Sequence, residues 1–207
     1  DYMALLHETG RVIHAAGGEA MMYWEALAEG IALAHEEGLA PHFIETNCSF
    51  AVKESVVRER LEFLAAHGVR GLLASADPYH QAWVPPERFL LVRRLVYEIF
   101  GPRNFWGSSA GDDVITGYAA VMSHPDRARA HVRAHPPTMV GTAQRALARY
   151  MDPYDPRDPS LPKAGWRGVT TGANCLNQFQ ASTLWEIHID PYGNIQTNCG
   201  MILGRIP

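Results

Sequence analysis

The sequence predicts an α/β fold built on parallel strands, and three observations carry that expectation. Apolar, β-prone runs recur at about residues 11–16, 42–47, 69–75 and 103–107. The first three gaps between them hold apolar residues at helical spacing. Each helical stripe ends at a glycine, Gly38, Gly68 or Gly101, in the C′ position where a positive φ closes a helix. A repeated βα unit requires a parallel sheet with right-handed crossovers, either closed into a barrel or open and doubly wound.

The first strand run ends in Gly17-Gly18-Glu19 and is followed by a helix over residues 22–37, with Trp24, Leu27, Ile31 and Ala34 on one stripe. The second leads into Glu45, Thr46, Asn47 and Cys48, then a helix carrying Val57, Leu61, Leu64 and Ala65. The third leads into Ser75, Ala76 and Asp77, with Tyr79 and His80 close behind, then the stripe Phe89, Val92, Leu95, Val96 and Ile99. The fourth ends at Gly107, Ser108 and Ser109. Beyond about residue 110 the period is lost. Residues 114–122, 127–135 and 141–150 read as helices, and the proline-rich segment 152–159 as a linker or extended loop. Residues 184–189 and 195–199, joined by a five-residue turn over 190–194, read as a β-hairpin. This divides the chain into a βα portion, 1–150, and a linker with a small appendage, 151–207.

Composition narrows the class of partner. A chain of 207 residues with 47% hydrophobic content buries a sizeable core. A net charge of −4 with scattered arginines gives no footprint for nucleic acid, so a small-molecule or peptide partner is expected. No run approaches the roughly 20 apolar residues of a membrane span and no leader opens the chain, which reads as a cytoplasmic protein. Three cysteines, Cys48, Cys175 and Cys199, are too few for a secreted disulfide framework and fit reduced thiols or metal ligands. The chain opens at Asp1 inside a helical pattern, and it is read as a fragment.

In either parallel architecture ligands sit at the C-terminal ends of the strands. Two glycines there let the main chain turn with φ > 0 and approach a ligand, and Glu19 supplies a charge for a small cation. His188 and Asp190 share one face of their strand, with Ile187 and Ile189 on the other, and form a candidate metal pair with His80 as a further ligand. Tyr79, Trp83 and Trp106 are candidate pocket walls.

Gly-Gly-Glu after one strand, Thr-Asn after the next and Ser-x-Asp after the third, in this order, resemble the radical S-adenosylmethionine superfamily. The stretch 187–199, Ile-His-Ile-Asp-Pro-Tyr-Gly-Asn-Ile-Gln-Thr-Asn-Cys, resembles the hairpin of SPASM/twitch-type C-terminal extensions. The resemblance implies a partial (β/α) barrel truncated at its N-terminus, with Gly17, Gly18 and Glu19 holding the methionine ammonium. Asn47, Ser75 and Asp77 would then reach the carboxylate and ribose of S-adenosylmethionine. It further implies an enzyme that uses a 4Fe-4S cluster to cleave S-adenosylmethionine to a 5′-deoxyadenosyl radical, with an electron donor such as flavodoxin or ferredoxin. The family's Cys-x3-Cys-x2-Cys loop is absent from the sequence given, and the resemblance puts it upstream of Asp1; the fragment alone is expected to be inactive. Cys175 and Cys199, flanking a hairpin with Gly193 in its turn, are the implied ligands of an auxiliary iron-sulfur cluster. Two other readings stay open: a divalent-metal hydrolase or isomerase using Glu45, Asp77, His80 and His188, and a non-catalytic ligand-binding relative.

Overall fold

A computed structural model of the chain describes residues 2–8, 10, 12–135, 146–150, 187–190, 192–197 and 202–206. The chain is mixed α/β and divides into two compact units, Asp1–Met122 and Ser123–Pro207.

The first unit opens with helix α1 (Tyr2–Glu8) and is built on four parallel strands, β1 (His14–Ala15), β2 (Phe43–Thr46), β3 (Gly71–Ala74) and β4 (Phe105–Trp106). They lie side by side in chain order. Register runs His14↔Phe43, Phe43↔Gly71 to Thr46↔Ala74, and Leu72↔Phe105 with Leu73↔Trp106. Helices α2 (Trp24–Glu36), α3 (Glu54–Ala66) and α5 (Pro86–Ile99) connect them, with the single turn α4 (Pro78–Gln81) between β3 and α5. Gly38, Gly68 and Gly101 close the three long helices with φ of +70°, +84° and +85°, as the sequence predicts.

Alternation along the strands decides where the core lies. Ile44, Thr46, Leu72 and Ala74 point to one face and are buried. Ile44, Leu72 and Ala74 pack against Ile31 of α2, Val57, Leu61 and Leu64 of α3, and Phe89, Val92, Leu95 and Val96 of α5. Phe43, Glu45, Leu73 and Trp106 point to the other face and stay partly exposed. All three long helices thus cover one face. Burying a Leu or Phe side chain there contributes about 1.5–3 kcal/mol, whereas the exposed Arg58, Arg94, Glu54 and Glu98 network across α3 and α5 adds little.

The helix predicted over 114–122 is broken into α6 (Asp112–Gly117) and α7 (Ala119–Met122). At the junction Tyr118 donates to the carbonyl of Ile115 and Val121 to that of Tyr118, three residues back rather than four. Gly117, a poor helix former, sits at this change of pitch.

The second unit contains α8 (Pro125–Ala134), which buries Ala128 and Val132, a short 3₁₀ turn at Ala148–Tyr150, and an antiparallel sheet. That sheet pairs β5 (Ile187–Ile189) with β6 (Asn194–Thr197), and β6 with β7 (Ile202–Arg205) across an irregularity at Ile195/Gln196. The five-residue turn predicted over 190–194 is one residue shorter, because Asn194 already pairs with Arg205 in β6. Gly193 takes φ +80° in the turn. The Asp190 carboxylate accepts from the backbone of Tyr192 and Asn194 and from the side chains of Asn194 and Gln196. The linker predicted over 152–159 lies outside the described residues.

One glycine in the sheet has no room for a side chain. A Cβ on Gly71 would run into the backbone carbonyl of Asn104, which leads into β4. Gly71→Ala is therefore expected to lower the thermal midpoint substantially. Gly30→Ala, in the open middle of α2 with nothing within 4 Å, is expected to raise stability by about 0.5–1 kcal/mol. Thermal unfolding followed by circular dichroism checks both; equal midpoints for the two variants would mean that β3 and β4 do not approach as closely as described.

Candidate functional site at the strand ends

Because the four strands are parallel, the residues that follow them emerge at one end of the sheet: Gly17, Gly18 and Glu19 after β1, Asn47 and Cys48 after β2, Ser75 to Asp77 after β3, and Gly107 after β4. Of the two glycines expected to turn with φ > 0, only Gly17 does so, at φ +117°. Gly18 has an ordinary φ, and a Cβ on either residue would meet nothing within 4 Å. The glycines therefore leave open space beside the end of β1.

Glu19 is held firmly. It caps the 3₁₀ turn Ala20–Met22, with Oε1 accepting from the Met21 N–H at 3.1 Å. The same oxygen accepts from the Thr46 hydroxyl at 2.7 Å, and Oε2 accepts from the Asn47 N–H at 2.7 Å. Thr46 is only 2% exposed, and its Oγ1 also accepts from the Cys48 N–H at 3.0 Å. One carboxylate thus ties the loop after β1 to the end of β2. Thr46, named in the sequence only as part of the Thr-Asn motif and given no role there, makes the side-chain tie; its signal is the strand alternation, which puts a hydroxyl on the buried face, where a partner is obligatory.

The other strand-end residues are fixed more locally. Asn47 Oδ1 accepts from the Ser49 N–H at 2.8 Å, and the Ser75 N–H donates to the Thr46 carbonyl at 3.1 Å. Cys48 adopts φ +65° with its side chain buried, a conformation that costs a non-glycine residue about 1–2 kcal/mol. Burial, then the Glu19 charge, pushes its thiol far above the ordinary range, so Cys48 is an inert core thiol.

Asp77 caps α4. Its Oδ1 accepts from the N–H groups of Tyr79 and His80 at 2.9 and 3.2 Å, and its Oδ2 stands 2.6 Å from His80 Nδ1. Burial works to raise the Asp77 carboxyl, but the hydrogen bond and charge of His80, with the two N–H donors, outweigh it and hold the group below its ordinary range. His80 is raised, first by the hydrogen bond to Asp77 and, against burial, by the charges of Asp77, Glu45 and Glu19. Burial and the Asp77 charge push the Tyr79 phenol up to about 12. The sequence signal for the pair is Asp-Pro-Tyr-His, an N-cap followed by proline at N1 with a histidine one turn on.

On the sheet face away from the three long helices, His14 stacks on Phe43 with ring centroids 4.8 Å apart, and Phe43 lies 5.2 Å from Trp106. His14 Nε2 is 3.7 Å from the Glu45 carboxylate. Glu45 lies inside β2, on this face, rather than beyond the strand end. A concavity of about 740 Å³ along α5, lined by Leu90, Tyr97 and Asp112 among others, includes none of the strand-end residues named above. In the second unit the Asp190 carboxylate takes four donors from its own hairpin, one from the turn and three from β6. Among the described residues no three His, Cys, Asp or Glu side chains converge as a metal site, and no helix is long and apolar enough to cross a membrane. Cys175 and Cys199 lie outside the described residues.

No protein-family profile, curated protein or solved structure compared with the chain matches it.

Two outcomes follow from this geometry. Glu19→Gln turns one acceptor oxygen into an NH₂ group facing the donors from Thr46, Met21 or Asn47, and is expected to cost about 1–3 kcal/mol in denaturant unfolding. The Asp77–His80 pair stabilises the fold within a pH window. The raised His80 contributes fully below its ordinary value of 6.5 and loses its contribution as pH rises through the folded-state value. The lowered Asp77 contributes above its ordinary 3.8 and loses its contribution as pH falls through the folded-state value. The stability difference between the wild type and His80→Gln should be largest between these two ordinary values and shrink on either side; a difference independent of pH would contradict the pairing.

Proposed function

We propose that the chain is part of a radical S-adenosylmethionine enzyme whose parallel sheet is an arc of a (β/α) barrel, and that its strand ends hold S-adenosylmethionine. The observation that carries the reading is a carboxylate fixed at the rim of an open, glycine-bordered space. Glu19 keeps lone-pair capacity on Oε2, which among the described residues accepts from the Asn47 N–H. Gly17 and Gly18 leave room at its side for an ammonium and the backbone carbonyls that would share it. The chain-order sheet with all long helices on one face agrees with a barrel arc, since a doubly wound sheet carries helices on both.

In this reading Glu19 and the Gly17–Gly18 backbone bind and orient the methionine end. Asn47 and Ser75 supply donors and acceptors at the next two strand ends. The chemistry that a 4Fe-4S cluster would supply to such an enzyme is one-electron reduction. The residues described do not fit the cluster: Cys48 is a single buried thiol held protonated by burial, and no step of the reaction is assigned to it. What the chain's own residues contribute is binding, orientation and exclusion of side reactions.

The test is calorimetric titration of S-adenosylmethionine into the wild type and Gly18→Val. Gly18 has an ordinary φ and open space around it, so valine should leave thermal unfolding nearly unchanged while filling the space that the ligand needs. Affinity is expected to fall by about tenfold or more, equivalent to about 1.4 kcal/mol. Absence of binding by the wild type, or equal affinity in the variant, would overturn the assignment of this strand end.

A further inference from the structure

Glu19, Glu45 and Asp77 put three carboxylates near the strand ends, and any ligand that carries an acidic group as well as an ammonium must place that group among them. Two unit charges of like sign at close range repel strongly wherever water is partly excluded. A cation with an uncommitted donor is needed to offset this. The nearby candidates differ in what they already hold. His14 lies against Glu45 at 3.7 Å and is stacked on Phe43. Arg60 and Arg88 keep further N–H donors beyond those given to the Met21 and Ser49 carbonyls, but they stand on α3 and α5 rather than on the turn that follows β3. His80 is different: Nδ1 is engaged by Asp77 at 2.6 Å, its side chain is 43% exposed, and Nε2 makes no hydrogen bond among the described residues.

We propose that His80 is the anion-holding residue of this site, its Nε2–H taking the carboxylate of a bound amino-acid-type ligand, and that Asp77 is the residue that positions it. The proposal rests on the reading of the strand ends as an S-adenosylmethionine site and assigns a residue that the motif resemblance leaves out. It also changes the role expected for Asp77. Both Asp77 oxygens are occupied within its own turn, by the Tyr79 and His80 N–H groups and by the His80 ring. The ring is thereby fixed in orientation, Nδ1–H donating to Asp77 and Nε2 directed away from it, and Nε2 carries its proton in the charged ring. The groups that act on His80 are Asp77 on its own turn, Glu45 on β2 and Glu19 after β1, and all three favour the protonated ring. A charged donor makes a hydrogen bond to a carboxylate that is roughly twice as strong as a neutral one.

The experiment compares two ligands that differ only in the acidic group, S-adenosylmethionine and decarboxylated S-adenosylmethionine, by calorimetry on the full chain. The wild type is expected to prefer S-adenosylmethionine by about tenfold or more, as for a hydrogen bond to a charged group. His80→Gln should bring the ratio of the two affinities close to one. Asp77→Asn should reduce the ratio and move the His80 titration midpoint, read by NMR from the imidazole ring protons, down toward the ordinary histidine value. In the wild type the ratio should also fall as pH rises through that midpoint, which decides the matter without any substitution. An unchanged ratio in His80→Gln, a wild type that binds both compounds equally, or a ratio indifferent to pH would overturn the role of His80 alone. A wild type that binds neither compound would overturn the reading of the site and the His80 proposal with it.

Discussion

Neighbouring parallel strands in one sheet can be joined only by a crossover, and the right-handed twist of the strands makes that crossover right-handed. When the strands follow one another in chain order, as β1 to β4 do, every crossover returns on the same side, and α2, α3 and α5 all pack on one face. The alternation of the strands had to agree. Ile44, Leu72 and Ala74 meet the helices and are buried, while Phe43, Glu45, Leu73 and Trp106 stand on the other side. The same constraint sends all four strands out at one end, so the residues with chemistry to offer are gathered by topology, whatever their separation in sequence.

Topology alone would leave those loops loosely placed. Residues 27 and 28 positions apart are joined here by the Glu19 carboxylate, which accepts from Thr46 and Asn47 as well as from Met21 in its own turn. Since Thr46 is buried, this contact is shielded from water and costs most if its acceptor is lost. The left-handed turn at Cys48 is stabilised by the same group of atoms, through the Thr46 hydroxyl that accepts from the Cys48 N–H. A short polar chain, Glu19 to Thr46 to Cys48, therefore adds to the apolar packing of Met21 and Cys48 in fixing the ends of β1 and β2.

The strands and long helices were legible in the sequence because each has a period and a stop. The glycines after α2, α3 and α5 take positive φ, and the intervening stripes supply the core. Where the period is short the reading failed: the break at Gly117 depends on a shift in hydrogen-bond pitch, and the shorter hairpin turn on Asn194 joining β6. At the site, chain order placed Gly17, Glu19, Asn47, Ser75 and Asp77 at one end of the sheet. What the sequence does not carry is which polar atoms are already engaged. Glu19 looks free beside two glycines, yet it is bonded to Thr46, and Asp77 looks free after a strand, yet it is bonded to His80.

That difference bears on how such a site works. A carboxylate already held by neutral donors keeps its charge and its place, so a cationic ligand meets a preorganised acceptor rather than one that must be ordered on binding. Glu19, with neutral N–H and O–H donors around it, is of this kind. Asp77 is not, because its partner is an imidazole that its own charge helps to protonate. The pair presents little net charge to a ligand. On the proposed reading, two strand ends with similar acidic residues offer opposite things, an acceptor at Glu19 and a donor at His80, as a zwitterionic ligand would require.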